Sequence, residues 1–85
     1  MMYISLTPAT ERELKRLPRE IQLLVKELFD GHFSTNPLDP RFHARKVQPP
    51  FTGYRLRLGS YRILFELEGN IILVYRIRHR KDAYR

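Results

Sequence analysis

Hydrophobic and polar positions repeat along this chain with two different periods, which separate predicted helices from predicted strands. The sequence YISL at residues 3–6 is a short apolar run typical of a first strand. Thr7 and Pro8 then predict the start of a helix. A threonine hydroxyl accepts a hydrogen bond from a free N–H, and proline has no N–H to leave unpaired. We expect this helix to end at Pro18.

A second helix is predicted between Pro18 and Gly31 by an apolar stripe with the i, i+3, i+4, i+7, i+8 spacing of one helix face. The stripe consists of Ile21, Leu24, Val25, Leu28 and Phe29. Two prolines and several turn-forming residues predict a loop at residues 34–42. A strand at residues 44–48 should follow, closed by the prolines at 49–50.

The rest of the chain predicts two consecutive hairpins. Gly59 and Ser60 suit a two-residue turn, since glycine tolerates the positive φ that such turns require, and this turn sets Arg57 opposite Arg62. A second turn at residues 68–70 leads to the sequence IILVYRIRHR. This is the longest and most apolar strand, and we place it in the centre of the sheet.

The register of the second hairpin decides which face of the sheet carries the arginines. A loop of residues 69–70 alone would place Arg76 and Arg78 on the face that the helices cover, where an unpaired arginine is costly. We therefore predict a loop of three residues, or a bulge that turns the side chains to the same faces of the sheet. The side chains that this register turns toward the helices are Ile71, Leu73 and Tyr75.

The opposite face of the sheet is then open and basic. Its six arginines are Arg55, Arg57, Arg62, Arg76, Arg78 and Arg80. Leu64, Ile72 and Val74 would lie among them, and apolar residues in that position indicate that a tail or a partner covers part of the face.

Length and composition predict one small α+β domain spanning residues 1–85. At this length a chain buries only about 60–65% of its unfolded surface, so its core is thin. We expect an N-terminal strand and a two-helix hairpin packed on a mainly antiparallel sheet of four to five strands. The absence of cysteine excludes disulfides, thiol nucleophiles and zinc–thiolate sites. No apolar run reaches the roughly 20 residues of a membrane helix and no signal-peptide pattern opens the chain, so we expect a soluble cytoplasmic protein.

The charge is large and unevenly distributed. The chain carries 16 Lys and Arg against 9 Asp and Glu, a net charge of +7, and most of the excess lies in residues 54–85. Like charges opposite each other across strands cost about 0.2–1 kcal/mol per pair, so a cluster of arginines on one face predicts a bound anion. Arginine binds phosphate bidentately, which favours nucleic acid. Alternatively, arginines only protect sheet edges from aggregation, a role that needs none on a central strand.

Two motifs carry a resemblance to a known family. The sequence YRLRLGSYRILFE at residues 54–66 is followed by IRHRKDAY at residues 77–84, and together they resemble the RelE/ParE toxin superfamily, specifically its RelE-like branch. The order of strand, two helices and strand meander matches along nearly the whole chain. The resemblance implies the toxin of a type II toxin–antitoxin pair. Such a toxin is a prokaryotic endoribonuclease that enters the ribosomal A site and cuts messenger RNA without metal or cofactor.

The resemblance also implies roles for individual residues. Arg55 and Arg57 would steady the phosphate and the developing charge, and Arg62 would stabilise the phosphorane transition state. Arg80 would act near the leaving group, and Tyr84 would be the general base on the ribose 2′-hydroxyl. We expect further RNA contacts from four basic residues, which are Lys46, Arg76, Arg78 and Lys81.

The chemical requirements of such a cut follow from general chemistry, independently of the resemblance. Attack of the 2′-hydroxyl on the adjacent phosphate needs a base, positive charge around the phosphorane and a proton for the departing 5′-oxygen. The product is a 2′,3′-cyclic phosphate. Arginine supplies charge but donates a proton poorly. Tyrosine is a weak base unless cations beside it favour the phenolate, and Tyr84 has Arg80, Lys81 and Arg85 as neighbours in the sequence.

The histidines and the other tyrosines favour structural roles over chemistry. His79 is suited to acid–base work, but the predicted register points it away from the arginines, so it is only a possible acid or base. His32 and His43 lack the spacing of metal ligands, and no metal site is predicted. Tyr54 and Tyr61 could stack on bases, although cross-strand packing is the expected role.

Two other functions stay open at this point. A ParE-like protein would share the fold and inhibit DNA gyrase by protein contact, but that branch generally lacks the set formed here by Arg62, Arg80 and Tyr84. A basic domain could also bind nucleic acid without cutting it. The resemblance further implies a cognate antitoxin, whose acidic amphipathic segment would enter a basic, partly apolar groove. Operator DNA would be bound through the antitoxin, and the free toxin would act on ribosomes and messenger RNA.

Overall fold

The computed structural model describes residues 1–85 as five strands, two α-helices and two short 3-10 helices. Strand β1 is Tyr3–Leu6, helix α1 is Pro8–Arg16 and helix α2 is Arg19–Asp30. The 3-10 helix Pro40–Phe42 lies within the loop predicted at residues 34–42, and the 3-10 helix His32–Ser34 precedes that loop and ends at its first residue. The other strands are β2 (Arg45–Lys46), β3 (Tyr54–Leu58), β4 (Tyr61–Glu68) and β5 (Ile71–His79). The predicted order of elements is confirmed.

Helix α1 begins and helix α2 ends for the local reasons that the sequence indicates. The Thr7 hydroxyl accepts a hydrogen bond from the Thr10 N–H at 3.2 Å, and Pro8 occupies the first helical position. α2 ends at Gly31, whose N–H donates to the Leu28 carbonyl at 3.3 Å. Neither helix has the length and apolar composition needed to cross a bilayer.

The strands form one mixed sheet in the order β1-β5-β4-β3-β2. β1 runs parallel to β5, and the other neighbours are antiparallel. The prediction of a mainly antiparallel sheet is therefore confirmed. β5 is an interior strand, as expected, although β4 and not β5 is the middle one. β2 is only two residues long, because β3 pairs with Arg45 and Lys46 alone, and the strand predicted at residues 44–48 was too long.

The first hairpin has the predicted register. The turn at Gly59 and Ser60 places Arg57 directly opposite Arg62, and Gly59 has the positive φ of 60° that this turn requires.

The second hairpin lacks the predicted three-residue loop and has the bulge that was the alternative to it. Its turn is formed by Gly69 and Asn70 alone. A β-bulge between Leu64 and Phe65 then changes the ladder, so that Phe65 is opposite Val74 while Leu64 is opposite Arg76. Tyr75 is the extra residue that the bulge adds to β5.

The bulge explains how both apolar and basic residues of β5 reach the correct face. Ile72 and Val74 lie in the core before it and Ile77 lies there after it, whereas strict alternation would have buried Arg76 and Arg78. The prediction of which β5 side chains face the helices was therefore wrong. It had placed Ile71, Leu73 and Tyr75 against the helices, with Ile72 and Val74 on the open face. The prediction that the arginines of β5 share a face with Arg62 is confirmed by the Arg62–Arg78 pair.

The core lies between the helices and one face of the sheet. Its buried apolar residues are Val25, Phe33, Leu56, Ile63, Phe65, Ile72, Val74 and Ile77. Phe33 contacts Phe65 edge to face at 5.2 Å between ring centroids. Leu64 and Ala83 are fully buried but lie outside this cluster. Leu64 is buried although it is on the open face, so part of that face is covered, as predicted. The cover includes the C-terminal end of the chain, where Ala83 is also buried.

Candidate functional site

Three strands bring three arginines into one row on the open side of the sheet. Arg57 on β3 is directly opposite Arg62 on β4, and Arg62 is directly opposite Arg78 on β5. Arg55 lies two residues before Arg57 on the same strand, and alternation places it on the same side. The same holds for Arg76 and Arg78 on β5. We call these five residues the arginine face.

The electrostatics of Arg62 show that predicted site residues lie close together. Burial lowers the pKa of Arg62 below its usual value, and the charges of Arg57, Arg55 and Arg80 lower it further, whereas Tyr84 raises it. Arginine nonetheless stays charged near neutral pH. The lowered pKa of Arg62 therefore reports its burial first and then repulsion from the cations around it, and a bound phosphate would relieve that repulsion.

Residues 80–85, which we call the C-terminal segment, continue from β5 as a series of turns. The Arg80 N–H donates to the Ser60 carbonyl at 2.8 Å, which fixes Arg80 beside the turn of the first hairpin. The Asp82 N–H donates to the His79 carbonyl at 2.8 Å, and the Arg85 N–H donates to the Asp82 carbonyl at 3.3 Å. These bonds turn the chain back toward the sheet.

Arg76 anchors the C-terminal segment. Its Nη1 donates to the Ala83 carbonyl oxygen at 2.7 Å and to the main-chain oxygen of Arg85 at 2.9 Å. Its guanidinium also lies over the Phe51 ring, 5.2 Å from the ring centroid. The Phe51 ring in turn packs edge to face against Tyr84 with 5.4 Å between centroids. One arginine thus holds the main chain on both sides of Tyr84 and supports the ring that Tyr84 packs on.

Arg78 is held between the C-terminal segment and helix α1. Its Nη1 donates to the main-chain oxygen of Arg85 at 3.1 Å, and its Nε donates to the Glu13 carboxylate. The other Glu13 oxygen accepts a hydrogen bond from the Ile77 N–H at 3.1 Å. Glu13 therefore ties α1 to β5 just beyond the bulge. Sequence reasoning missed this contact, because Glu13 looks like any other charged residue on the surface of a helix.

Tyr84 opens onto a groove of about 390 Å³ beside the arginine face, which we call the tyrosine groove. Among its lining residues are Lys46, Phe51, Arg55 and Tyr84. Tyr84 is 46% exposed, although its ring packs on Phe51. The structure therefore brings Lys46, which is distant in sequence from the two motifs, next to the predicted base.

The loop between β2 and β3 carries Phe51 to this position. The Tyr75 hydroxyl donates to the Thr52 carbonyl at 2.8 Å, and the Thr52 hydroxyl bonds to the Glu66 carboxylate. Gly53 has a φ of 87°, and a side chain on it would meet the Phe65 carbonyl oxygen. Sequence reasoning missed Phe51. Its only signal is an aromatic residue placed between two prolines and a glycine.

His79 and Lys81 do not join the arginine cluster. His79 is opposite Tyr61, out of phase with the Arg62–Arg78 pair, and the two rings pack edge to face at 5.5 Å. The His79 Nδ1 accepts a hydrogen bond from the Lys81 N–H at 3.2 Å, and the Lys81 side chain is exposed. The predicted orientation of His79 and the cross-strand packing of Tyr61 are confirmed.

The other residues considered for chemistry have structural contacts. Tyr54 stacks on Phe65 at 5.8 Å, as expected for cross-strand packing. His32 pairs with Asp39 at 3.1 Å. No three His, Cys, Asp or Glu side chains lie together in a group that could hold a metal ion.

A family model described as the ParE toxin of the type II toxin–antitoxin system parDE matches residues 4–84. The chain belongs to the RelE/ParE toxin superfamily. Among proteins similar to this toxin is Toxin RelE3 of Methanocaldococcus jannaschii, which is 32% identical over 74 residues, covering 86% of this chain and 84% of the relative. The predicted superfamily is confirmed.

Solved toxin–antitoxin complexes contain chains with the fold of this RelE/ParE toxin. In the RelBE2 complex from Mycobacterium tuberculosis, the similar chain has a TM-score of 0.79 and 27% identity, with 93% of this chain and 98% of that chain covered. In the RelB–RelE complex from Methanococcus jannaschii, the TM-score is 0.75 and the identity 28%, with 89% of each chain covered. The family model is described as a ParE toxin and the similar proteins carry RelE names, so together they support a type II toxin without separating the two branches.

Proposed function

We propose that this RelE/ParE toxin is a metal-independent endoribonuclease that cuts messenger RNA in the ribosomal A site and thereby inhibits translation. The observation that carries the proposal is the direct pairing of Arg57 with Arg62, together with Tyr84 in a groove that Arg55 also lines. This arrangement supplies positive charge for a phosphate and one group that can accept a proton.

Each residue has a step in the proposed reaction. In its phenolate form, Tyr84 accepts the proton of the 2′-hydroxyl while the bond between O2′ and phosphorus forms. Arg57 and Arg62 neutralise the oxygens of the phosphorane, and Arg80 neutralises the charge on O5′ as the bond between phosphorus and O5′ breaks. O5′ takes its proton from solvent, because arginine donates poorly. The products are a 2′,3′-cyclic phosphate and a 5′-hydroxyl.

The other basic residues bind RNA or support the site. Lys46 and Arg55 would hold phosphates along the tyrosine groove, and exposed Lys81 would contact RNA beyond it. Arg76 and Arg78 donate hydrogen bonds to main-chain oxygens of the C-terminal segment, so we assign these two arginines a positioning role. Direct RNA contact by these two arginines stays a prediction.

The partners follow from the same proposal. The similar chains described as toxins occur in complexes with antitoxins, which supports a cognate antitoxin for this chain. In the proposal the free toxin acts on cytoplasmic ribosomes and their messenger RNA, and operator DNA is bound only through the antitoxin.

A second candidate function is inhibition of DNA gyrase by protein contact. The description of the matching family model as a ParE toxin favours it. The paired arginines and the anchored Tyr84 argue against it, because a protein contact does not require a base beside a phosphate-binding cluster.

One pair of assays separates the candidates. Purified toxin is added to cell-free translation, where messenger cleavage is followed by primer extension, and to a supercoiling assay with purified gyrase. We expect ribosome-dependent cuts that fade in Arg62→Ala and Tyr84→Phe, and unchanged supercoiling. Arg12→Ala, an exposed arginine of α1, is the matched control and should cleave normally. Loss of supercoiling with intact messenger would support the gyrase inhibitor. If neither messenger cleavage nor loss of supercoiling is observed, the protein is a basic domain that binds nucleic acid without cutting it.

A further inference from the structure

Strand β5 extends beyond its neighbour β1, and a side chain takes over where β1 ends. The ladder between them stops at Leu6 and Val74, and the Thr7 N–H still donates to the Val74 carbonyl at 3.2 Å. Beyond this point no strand lies on that side of β5. The Ile77 N–H donates instead to the Glu13 carboxylate at 3.1 Å. Glu13 therefore satisfies a main-chain donor that a longer β1 would have paired.

Glu13 is also the only acidic side chain that forms an ion pair with the arginine face. Its other oxygen accepts a hydrogen bond from Nε of Arg78. The exposed fraction is 18% for the Glu13 side chain and 37% for the Arg78 side chain, so water screens this pair less than a fully exposed one. One carboxylate thus binds both the backbone of β5 and a side chain of the arginine face.

The two partners of Arg78 lead its guanidinium away from Arg62. Arg78 is directly opposite Arg62 across β4 and β5. Its Nε nevertheless bonds to Glu13, and its Nη1 bonds to the main-chain oxygen of Arg85 at 3.1 Å. After burial, the largest influences on the pKa of Arg62 are the charges of Arg57, Arg55, Tyr84 and Arg80. Arg78 is not among them, although it pairs with Arg62 in the ladder. Glu13 and the C-terminal segment therefore separate the charge of Arg78 from the cluster around Arg62.

We propose that Glu13 is a positioning residue for RNA cleavage, which holds Arg78 on the C-terminal segment and away from the phosphate site at Arg62. This role rests on the proposed function, in which Tyr84 is the base. Glu13 orients Nε, and the planar guanidinium then directs Nη1 at the oxygen of Arg85, one residue beyond Tyr84. Glu13 touches no reacting atom, so it acts through Arg78.

Loss of the Glu13 charge would change two properties of Arg78. Its Nη1 would no longer be directed at the Arg85 oxygen, so the C-terminal segment would hold Tyr84 less firmly. The released guanidinium would turn toward Arg62 and hold an RNA phosphate there. RNA would then be bound more tightly but in fewer productive complexes, so kcat and KM would fall together. A residue that contributes only to folding would change neither constant of the folded toxin.

The variant Glu13→Gln separates the two bonds of Glu13. The amide oxygen can still accept from the Ile77 N–H, whereas the amide nitrogen cannot accept from Arg78. We expect kcat to fall about tenfold, the effect of losing one partly exposed charge-assisted hydrogen bond. KM should fall about two- to threefold as Arg78 turns to the phosphate. Glu11→Gln makes the same charge change at an exposed acid of α1 without an ion-pair partner, and both constants should stay nearly native.

The variant Arg78→Gln tests the same contacts without altering Glu13. It should lower kcat by about the same factor but should not lower KM, because no guanidinium is released. Adding Glu13→Gln to Arg78→Gln should cause no further loss, since Glu13 acts through Arg78. The proposal would be overturned by a native kcat in either single variant, by a raised KM in Glu13→Gln, by an equal loss in Glu11→Gln, or by a further loss in the double variant.

NMR of the ¹⁵N-labelled toxin gives a readout that does not depend on cleavage. The Nε–H of Arg78, bound to Glu13, should exchange slowly with solvent and give its own signal, which should vanish in Glu13→Gln. The Ile77 amide should stay protected from exchange, which shows that the variant is folded. A retained Arg78 signal in Glu13→Gln would overturn the proposal. If the native toxin left messenger RNA intact while the Arg78 signal vanished as described, the proposed function would fall and the control of Arg78 by Glu13 would stand.

Discussion

Replacement of Arg76 by alanine should undock the C-terminal segment and slow RNA cleavage while leaving RNA affinity nearly unchanged. In the structure Arg76 bonds to the main-chain oxygens of Ala83 and Arg85 and lies over Phe51, on which Tyr84 packs. The alanine variant removes all three contacts and keeps the strand. If the proposed function holds, the base Tyr84 then spends less time beside the phosphate.

The size of the effect follows from these contacts. Each hydrogen bond of a half-buried arginine to a main-chain oxygen contributes about 1 kcal/mol net. The contact with the aromatic ring adds about 0.5–1 kcal/mol. The loss is therefore about 2.5–3 kcal/mol, roughly a 70- to 160-fold shift toward the undocked segment. The kcat should fall by up to that factor.

The assay measures cleavage rate against the concentration of ribosomes programmed with messenger RNA. A positioning role for Arg76 lowers kcat with little change in KM, whereas an arginine that holds RNA mainly raises KM. Arg76→Lys keeps the charge but cannot form both hydrogen bonds and the planar contact, so it should not restore the rate. Arg12→Ala removes an exposed arginine elsewhere and serves as the control.

A second readout is independent of cleavage. The ring of Phe51, 5.4 Å from that of Tyr84, should shift the Tyr84 ring protons in the NMR spectrum, and this shift should vanish in Arg76→Ala. The amides of Asp82 and Arg85 should exchange faster with solvent. A native rate in Arg76→Lys, or an unchanged Tyr84 signal in Arg76→Ala, would contradict a positioning role for Arg76.

Three further predictions use stability as the readout. Arg62→Gln should raise the melting temperature while abolishing cleavage. Burial and neighbouring arginines lower the pKa of Arg62 and so disfavour its charged form, which the variant removes. A melting temperature below that of the native protein would contradict this. Gly53→Ala should cost more than about 1 kcal/mol in urea unfolding, since its Cβ would lie 2.2 Å from the Phe65 carbonyl oxygen. Gly69→Ala, with a positive φ but open space, should cost less. The pKa of Asp39 is lowered, chiefly by its bond to a backbone N–H, so its stabilisation is present above about pH 4 and is lost as the pH falls through the lowered pKa. Asp39→Asn should weaken this acid dependence.

The sequence predicted those parts of the fold that depend on local residues. Thr7 and Pro8 start α1 through their own hydrogen-bonding chemistry, and Gly59 fixes the register that pairs Arg57 with Arg62. The arginine row across the sheet could be predicted for the same reason. Once a two-residue turn is assigned, alternation decides which side chains meet.

The bulge in β5 could not be located from the sequence. The arginines reach the same face of the sheet with a three-residue loop as with a two-residue loop followed by a bulge. The sequence pattern therefore does not distinguish these two arrangements. The distinction depends on tertiary packing, because Ile72 and Val74 reach the core only when the extra residue comes after them, at Tyr75.

The support of the site was also beyond sequence reasoning. Arg76 was predicted to share a face with Arg62, but its hydrogen bonds go to main-chain oxygens of the C-terminal segment, a stretch without any periodic pattern. Phe51 reaches Tyr84 because the loop before β3 is held by Thr52 and Tyr75. Such contacts join positions far apart in sequence and leave no local signal.

The central claim is that the arginine face and Tyr84 cut RNA by attack of the 2′-hydroxyl. The most direct measurement is the chemical state of the RNA ends produced from ribosome-bound messenger, mapped to single nucleotides for the native toxin, Arg62→Ala and Tyr84→Phe. We expect cuts within A-site codons that need ribosomes, that carry a 2′,3′-cyclic phosphate and a 5′-hydroxyl, and that disappear in both variants. Intact messenger at full ribosome occupancy, or cuts that persist in both variants, would contradict it.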